Sequence, residues 1–360
     1  MARIACINDI HFNARNNSQI FANYFNKFYK EFIEYVIKEK IEYVCILGDI
    51  TDVRKTVNFL AAMRLHSDLL KPLSDAGIKV IAMIGNHDSY YTAELSVNSM
   101  RALYQDRELP GLSIIDVPTE INIDGCDLLL LPWIASGNYA ETMRKVKETR
   151  AQVCFGHFEF AGFEMYKGNY IEHGMDHTLF QKFDIVLSGH YHHKSTQGNV
   201  HYLGTQFEIT WADFDDTKGF HIFDTSDRSL KFIQNPHRIF HKVYYDDSKF
   251  KRAEDMLASL DTEQYAGCYV KLVVVNKNNP YWFDMFFDKL EKSEIVNLNI
   301  VDETLNHIYA EFNEEEGSLD DTITILNKYI DGLDMDANKE SLEGLMRSLY
   351  NEAQALTEQQ

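Results

Sequence analysis

Short apolar runs that end in polar residues recur along the chain. The five runs are IACINDIH, YVCILGDI, VIAMIGNHD, VCFGHF and IVLSGHYHH. Each has Asp, Asn or His at its last or second-last position. Apolar runs of this length are typical of buried strands. Between the first four runs lie segments with apolar residues at three- and four-residue steps, as from Phe21 to Val36, which predict helices. Strands that alternate with helices predict a layered α/β fold with a largely parallel sheet.

The polar ends of these runs are expected to share one site, because ligands bind beyond the carboxyl ends of the strands in such sheets. Asp9 and His11 are two residues apart, so they are expected to share a face. His190 and His192 are likewise expected to point the same way from an extended segment that continues the last strand. The remaining candidates each follow a glycine and are Asp49, Asn86 and His157.

These seven candidate residues predict a metal centre. Carboxylate and amide oxygens with imidazoles, and no thiolate, suit Mn²⁺, Fe or Zn²⁺ better than a structural zinc site built from cysteine. Seven ligands are too many for one ion and fit two ions that share a carboxylate. Two ions about 3.5 to 4 Å apart can activate a water and neutralise the charge that builds on a phosphoryl group. The predicted reaction is therefore hydrolysis of a phosphoester.

Each motif taken alone also has an ordinary structural explanation. An Asp-x-His at a strand end is often only a surface pair, and Asp49 in GDITD could be a turn former. GHYHH alone could be an adventitious metal-binding patch. Five such clusters, each at the predicted end of a strand, favour a shared function over coincidence.

The five motifs resemble, in order and spacing, those of the calcineurin-like metallophosphoesterase superfamily. The resemblance implies an α/β metallophosphoesterase sandwich core. It also implies that one metal is bound by Asp9, His11 and His192. The ligands implied for the second metal are Asn86, His157 and His190. Asp49 is implied to bridge the two.

The resemblance implies catalytic roles for two further residues. His87, next to a ligand, would donate a proton to the leaving oxygen, which leaves poorly unless protonated. Asp52 would orient His87 or tune its charge. His193 receives no role.

Two features resemble the SbcD-type DNA nucleases, and GDITDVRK and GHFEFAGF resemble the phage recombination-endonuclease subunits among them. One feature is the stretch from Tyr202 to Asp224, which ends in an acidic segment and a Lys-Gly-Phe strand; the other is the long chain beyond the core. The resemblance implies a Mn²⁺-dependent nuclease, with 3′-to-5′ exonuclease activity on duplex DNA and endonuclease activity on single strands. It also implies a homodimer formed through the nuclease domain. The implied partner is an SMC-like coiled-coil ATPase, which acts with the nuclease in recombination and double-strand-break processing.

Three segments are expected along the chain. Residues 1–240 are expected to form the nuclease domain and residues 241–305 a small α+β capping domain, with helices over 250–260 and 281–290. The capping domain could position DNA or be a plain accessory unit. Residues 306–360 are expected to hold an acidic linker and a helical stripe from Asn338 to Leu356, which either packs on its own core or binds the ATPase.

The charge is strongly negative and unevenly spread. Of the formal net charge of −20, residues 301–360 carry −12, from 15 Asp and Glu against 3 Lys and Arg, which leaves −8 for the rest. The body of the protein is not basic, so charge does not predict strong unaided binding to phosphates. Arg54 and Lys55 could contact a DNA phosphate or be solvated charges.

The sequence also bears on the compartment, and it leaves two rival functions open. No signal peptide or membrane span is expected from the sequence. Cys6, Cys45 and Cys154 lie in apolar runs and none of the five cysteines forms a C-x-x-C pair, so a cytoplasmic protein is expected, in the host cytoplasm if phage-encoded. One rival is a small-molecule or cyclic-nucleotide phosphodiesterase with the same metal ligands. The other is a non-catalytic scaffold of the same fold.

Overall fold

The computed structural model describes residues 2–105 and 109–302, and it places most of their strands in two six-stranded sheets and one three-stranded sheet. The strands are β1 (Arg3–Ile7), β2 (Tyr43–Leu47), β3 (Lys79–Met83), β4 (Leu112–Ile115), β5 (Thr119–Ile123), β6 (Cys126–Leu131), β7 (Val153–His157), β8 (Glu164–Tyr166), β9 (Asn169–Tyr170), β10 (Ile185–Gly189), β11 (Ser195–Gln197), β12 (Val200–Tyr202), β13 (Gly219–Asp224), β14 (Leu230–Gln234), β15 (Phe240–Asp246), β16 (Tyr269–Asn276) and β17 (Asn297–Asp302).

The helices lie mainly between the strands of the first sheet. They are α1 (Ala14–Asn17), α2 (Gln19–Lys38), α3 (Phe59–Arg64), α4 (Lys71–Asp75), α5 (Ser99–Tyr104), α6 (Tyr139–Glu148), α7 (Ala253–Ser259) and α8 (Pro280–Glu291). A π-helical segment, Leu65–Leu70, joins α3 to α4. None of the helices in these described ranges is long and apolar enough to cross a membrane.

The two large sheets pack face to face. The first has the strand order β14-β13-β1-β2-β3-β4 and the second β11-β12-β10-β7-β6-β5. One apolar cluster joins their inner faces, with Cys6, Cys45 and Leu47 from the first sheet and Phe155 and Leu187 from the second. Such a layered arrangement confirms the expected α/β sandwich.

Parallel pairing at the centre of each sheet gathers the strand ends. β1, β2, β3 and β4 are parallel to one another, as are β6, β7, β10 and β12. The outer face of the first sheet is covered by α2, whose aromatic side chains, such as Phe25, Phe28 and Phe32, are buried. The carboxyl ends of the central strands are left free to carry loops.

A smaller sheet follows the sandwich. β15, β16 and β17 are parallel, and α7 and α8 pack on one face through residues such as Leu272, Phe286 and Leu290. Glu208, which is buried, accepts hydrogen bonds from the backbone N–H groups of Ile239 and Phe240, where β15 begins. The predicted acidic linker and C-terminal helix lie outside the described residues.

Candidate metal centre

The first group of candidate ligands lies beyond β1 and β10. The ligand atoms of Asp9, His11 and His192 are within 4.8 Å of one another. His11 Nε2 and His192 Nε2 are 3.3 Å apart. The Asp9 carboxylate is held from behind, because the backbone N–H of His190 donates to both of its oxygens and the Asn8 amide donates to one.

The second group lies beyond β2, β3, β7 and β10. The ligand atoms of Asp49, His157 and His190 are within 4.8 Å of one another. Asn86 joins them, because its Oδ1 is 3.0 Å from His157 Nε2 and 3.1 Å from His190 Nδ1. His157 Nε2 also lies 3.3 Å from Asp49 Oδ2. All seven predicted ligands therefore fall into two adjacent groups.

The chemistry of these atoms fits divalent ions. His157 Nδ1 is 2.7 Å from the Leu47 carbonyl, an acceptor only, so Nδ1 carries the proton. The Nε2 of a neutral His157 then presents a lone pair toward the oxygens of Asp49 and Asn86, an arrangement that a cation would stabilise. The 3.3 Å between His11 Nε2 and His192 Nε2 matches two nitrogens that each lie about 2.1 Å from one ion.

The pKa values divide the histidines into two kinds. Burial acts to lower the pKa of His11, but its hydrogen bond to Asp52 and the charge of Asp49 outweigh burial and raise it to about 9. Burial is similarly outweighed at His157, where Asp49 raises the pKa to about 9.

The other two histidines are held neutral. Burial and the charge of His157 lower the pKa of His190 to about 3, and burial and His11 lower that of His192 to about 4. Neutral imidazole is the form that binds a metal, whereas His11 and His157 would release protons as a metal binds. Burial acts to raise the pKa of Asp49, but the surrounding histidines outweigh it and lower that pKa, so Asp49 is a carboxylate.

Strained backbone brings the side chains together. Non-glycine residues seldom adopt positive φ, and those that do cluster at functional sites. Gly48, with φ +90°, packs against His157, and Gly85 packs against Asp49, so closely that a Cβ at either position would collide. Four of the seven candidate ligands adopt positive φ, namely Asp9 (47°), His11 (40°), Asp49 (49°) and His190 (86°).

The backbone at His190 differs from the sequence expectation. β10 ends at Gly189, and the positive φ of His190 turns the chain, so the extended segment predicted through His192 is wrong. His190 and His192 contribute to different groups because the chain turns between them. Likewise β1 ends at Ile7, and Asp9 and His11 converge through a loop rather than along a strand.

His87 and Asp52 lie where the two groups meet. The His87 ring is 5.2 Å from the His11 ring, and its Nε2 is 4.0 Å from Asp49 Oδ2. Its Nδ1 contacts the backbone carbonyl of Asp52, whereas the Asp52 carboxylate lies 3.1 Å from His11 Nδ1. Asp52 thus contacts His87 through its backbone, and its side chain contacts a candidate ligand. The His87 side chain is 40% exposed, unlike the buried ligands beside it.

Asp88 ties together two of the loops that carry candidate ligands. Its buried carboxylate accepts from the backbone N–H groups of Ile50, Thr51 and Gly85 at 3.1, 2.8 and 2.9 Å, and from the Thr51 hydroxyl at 3.0 Å. Sequence reasoning gave Asp88 no role, although its place in GNHD was the available signal.

Lys218 supports the segment that carries His192. The lysine of the predicted Lys-Gly-Phe strand is only 4% exposed. Its ammonium donates to the Asp213 and Asp216 carboxylates at 2.8 and 2.9 Å and to the His192 carbonyl at 2.9 Å. Asp216 also lies 3.0 Å from His193 Nδ1, which explains this otherwise unassigned histidine as part of an ion-pair network.

Trp133 covers the second group and was not identified from the sequence. Its ring centroid is 5.0 Å from that of His190 and 5.9 Å from that of His157. Its backbone N–H donates to the Ile84 carbonyl, which fixes the segment after β6 beside the segment after β3. An apolar wall of this kind shields a metal centre from solvent on one side.

Comparisons with known proteins agree with this geometry. The family described as calcineurin-like phosphoesterase matches residues 2–194. Exonuclease subunit 1 of Enterobacteria phage T4 is 31% identical over 328 residues, which are 90% of this chain and 91% of that protein.

Two solved structures are also similar. An archaeal phosphodiesterase is 15% identical, with a TM-score of 0.32, over 65% of this chain and 99% of its own. A dimetal phosphatase from Danio rerio is 12% identical, with a TM-score of 0.41, over 65% of this chain and 95% of its own. TM-scores this low carry no argument about function. The family match and the phage relative suffice: the chain belongs to the calcineurin-like phosphoesterase family and is a metal-dependent phosphodiesterase.

Proposed function

We propose that this protein is the nuclease subunit of a DNA recombination and repair complex and depends on two divalent ions, Mn²⁺ by preference. The observation that carries the proposal is the pair of adjacent candidate ligand groups, with the partly exposed His87 between them. Oxygen and imidazole donors without thiolate suit Mn²⁺, Fe or Zn²⁺, and the resemblance to SbcD-type nucleases favours Mn²⁺ among these. Bound there, two ions would activate a water and neutralise charge on the phosphate.

The residues have distinct roles in this proposal. One ion is held by the first group and the other by the second, with Asp49 shared between them. The seven proposed ligands are Asp9, His11, His192, Asn86, His157, His190 and Asp49. Four of them, Asp9, His11, Asp49 and His157, are buried, which keeps competing water from their donor atoms.

His87 is proposed as the general acid. Its Nε2 lies 4.0 Å from Asp49 Oδ2 and its Nδ1 donates to the Asp52 carbonyl, so the ring offers a proton from Nε2 to the leaving oxygen in its doubly protonated form. Because the ring is partly exposed, a substrate can reach it without displacing a ligand. The contact of the Asp52 carboxylate with His11 suggests that Asp52 orients this ligand as well as His87.

DNA is proposed as the substrate because the phage relative is named an exonuclease subunit. We infer 3′-to-5′ exonuclease activity on duplex DNA and endonuclease activity on single strands. A homodimer through the nuclease domain and a capping role for the unit formed by β15–β17 belong to the same proposal. The strong net negative charge supports a requirement for a partner that supplies positive surface.

Cleavage of an end-labelled DNA duplex in Mn²⁺ tests the nuclease proposal. Wild-type protein should shorten the labelled strand. His87→Ala should retain bound metal, and its rate of cleavage should fall by about 10²-fold or more. Hydrolysis of a small phosphodiester without any DNA cleavage, with the ATPase partner present, would contradict the nuclease proposal. Loss of metal from His87→Ala would contradict its role as the acid.

The ATPase partner needs a separate test. The apolar stripe from Asn338 to Leu356 supports a docking helix for an SMC-like coiled-coil ATPase. Truncation before Asn338 should abolish co-purification with that ATPase and spare hydrolysis of a small phosphodiester. Retained association would overturn this part of the proposal.

A further inference from the structure

Two tyrosines stand exposed in the loop that follows His87, and we call the surface of this loop the rim. Tyr90 and Tyr91 follow His87 by three and four residues, and they are 42% and 47% exposed. Their ring centroids are 4.9 Å apart, with 72° between the ring planes. Scattered exposed aromatic residues need no explanation, but two adjacent ones beside a candidate catalytic residue are a different case.

The loop that carries these rings is firmly held. The Ser89 hydroxyl is 2.7 Å from both the Tyr91 carbonyl and the Glu94 carbonyl, and the Tyr90 N–H donates to the Val97 carbonyl at 2.9 Å. Ser89 itself is buried. A surface that is ordered before binding loses little conformational entropy when a ligand stacks on it.

A lysine adds positive charge to this rim. Lys55 Nζ lies 5.6 Å from the centroid of the Tyr90 ring. Lys55 comes from the segment after β2, and that segment is joined to the Tyr90 loop by the contact of His87 with the Asp52 carbonyl. Aromatic faces beside a cation are the combination that binds single-stranded nucleic acid, because bases stack on the rings and the cation faces the phosphate.

We propose that Tyr90 and Tyr91 form a stacking site for one unpaired nucleobase of the DNA, with Lys55 near its phosphate. The inference rests on the proposed nuclease function and narrows its substrate class to DNA with an unpaired nucleotide near the cleaved bond. Rings at 72° cannot both lie parallel to one base, so one ring stacks and the other borders the base. A fully paired end would have to fray before it engages the site.

The expected effect follows from the strength of stacking. A base stacked on an aromatic side chain contributes about 1–3 kcal/mol by alanine substitution, which corresponds to roughly 5- to 150-fold in affinity. Tyr90→Ala/Tyr91→Ala should therefore raise KM for single-stranded DNA by a factor in this range. Phenylalanine at both positions keeps the rings and should restore wild-type KM.

The test compares DNA with and without the base. A labelled oligonucleotide is prepared in normal form and with an abasic residue at each position near the cleaved bond, and KM and kcat are measured in Mn²⁺. At one position the abasic residue should raise KM for wild-type protein and leave KM of the double alanine variant unchanged. Tyr43→Ala is the matched control, because Tyr43 also lies beside a lysine, Lys79, but at the opposite end of β2.

The outcomes separate this inference from the proposed function. If the double alanine substitution raised KM by the same factor on normal and on abasic DNA, the two tyrosines would have a structural role, and the stacking site would be overturned. Unchanged KM in the double alanine variant would also overturn it, with the nuclease proposal intact. Hydrolysis of bis(p-nitrophenyl) phosphate by wild-type protein, without cleavage of any DNA even with the ATPase partner present, would overturn the nuclease proposal and the inference with it.

Discussion

Asp88→Asn tests whether the metal centre depends on the hydrogen bonds that join its loops. The Asp88 carboxylate holds the loop after β2 at Ile50 and Thr51 and the loop after β3 at Gly85. Oδ2 accepts two backbone N–H groups, and Oδ1 accepts one backbone N–H and the hydroxyls of Thr51 and Ser99. An asparagine keeps one acceptor oxygen and points an NH₂ group at the other position.

The expected loss of folding free energy is that of the amide orientation that breaks fewer hydrogen bonds. With NH₂ at the Oδ1 position, both hydroxyls can rotate to accept, and only the Thr51 N–H loses its acceptor, which costs about 1–3 kcal/mol. The bonds to Ile50 and Gly85 also lose the extra strength that a charged acceptor gives. Burial and the charge of Asp49 raise the pKa of Asp88, because both disfavour its charged form. A neutral amide avoids this cost, which offsets part of the loss. We expect a net loss of about 2 kcal/mol of folding free energy.

Metal binding should weaken as well as folding stability. Displacement of the loop that carries Asn86 should weaken Mn²⁺ binding by about 10- to 100-fold, as loss of groups that orient ligands generally does. Urea denaturation measures the stability, and titration calorimetry with Mn²⁺ measures the affinity. Asp116→Asn is the control, since Asp116 follows β4 and accepts from the side chains of Asn98 and Arg101 rather than from the loops that carry candidate ligands. Wild-type metal affinity in Asp88→Asn would refute the reasoning.

Three further predictions concern the surroundings of the metal centre. Lys218→Met should lower the free energy of unfolding by about 3–5 kcal/mol, because it leaves the carboxylates of Asp213 and Asp216 buried without their cation; urea denaturation measures this. Burial acts to raise the pKa of Asp216, but His193 and Lys218 outweigh it and lower the pKa from 3.8 to about 2. The resulting stabilisation, about 2 kcal/mol, is present above about pH 4 and lost as the pH falls toward about 2, and Asp216→Asn should lack this part of the pH dependence of unfolding. Mn²⁺ should change the fluorescence of wild-type protein, and Trp133→Phe should abolish most of that change.

The sequence predicted the sheets and the candidate ligands better than the loops that bring them together. Apolar runs ending in Asp, Asn or His were enough to place strands, because buried strands need continuous apolar residues. The helix predicted over 281–290 is observed as Pro280–Glu291, whereas that predicted over 250–260 shortens to Ala253–Ser259. Phe250 lies in the turn before it.

The rest required three-dimensional contacts. His190 has positive φ directly after Gly189, which packs against the Leu47 carbonyl of the first sheet, so alternation along the chain could not predict the turn. Trp133 lies 24 residues before His157 in the sequence and meets it only through the parallel pairing of β6 and β7. Asp88 lies in the GNHD motif, but it accepts from the backbone N–H groups of Ile50 and Gly85, so the motif alone could not show that it joins two loops.

Anomalous diffraction from crystals soaked in Mn²⁺ tests the two-metal proposal most directly. We predict two peaks about 3.5 to 4 Å apart, on either side of the Asp49 carboxylate. One peak should lie against His11 and His192, and the other against His157 and His190. A single peak, or ions bound away from Asp49, would contradict a two-metal phosphodiesterase at this site.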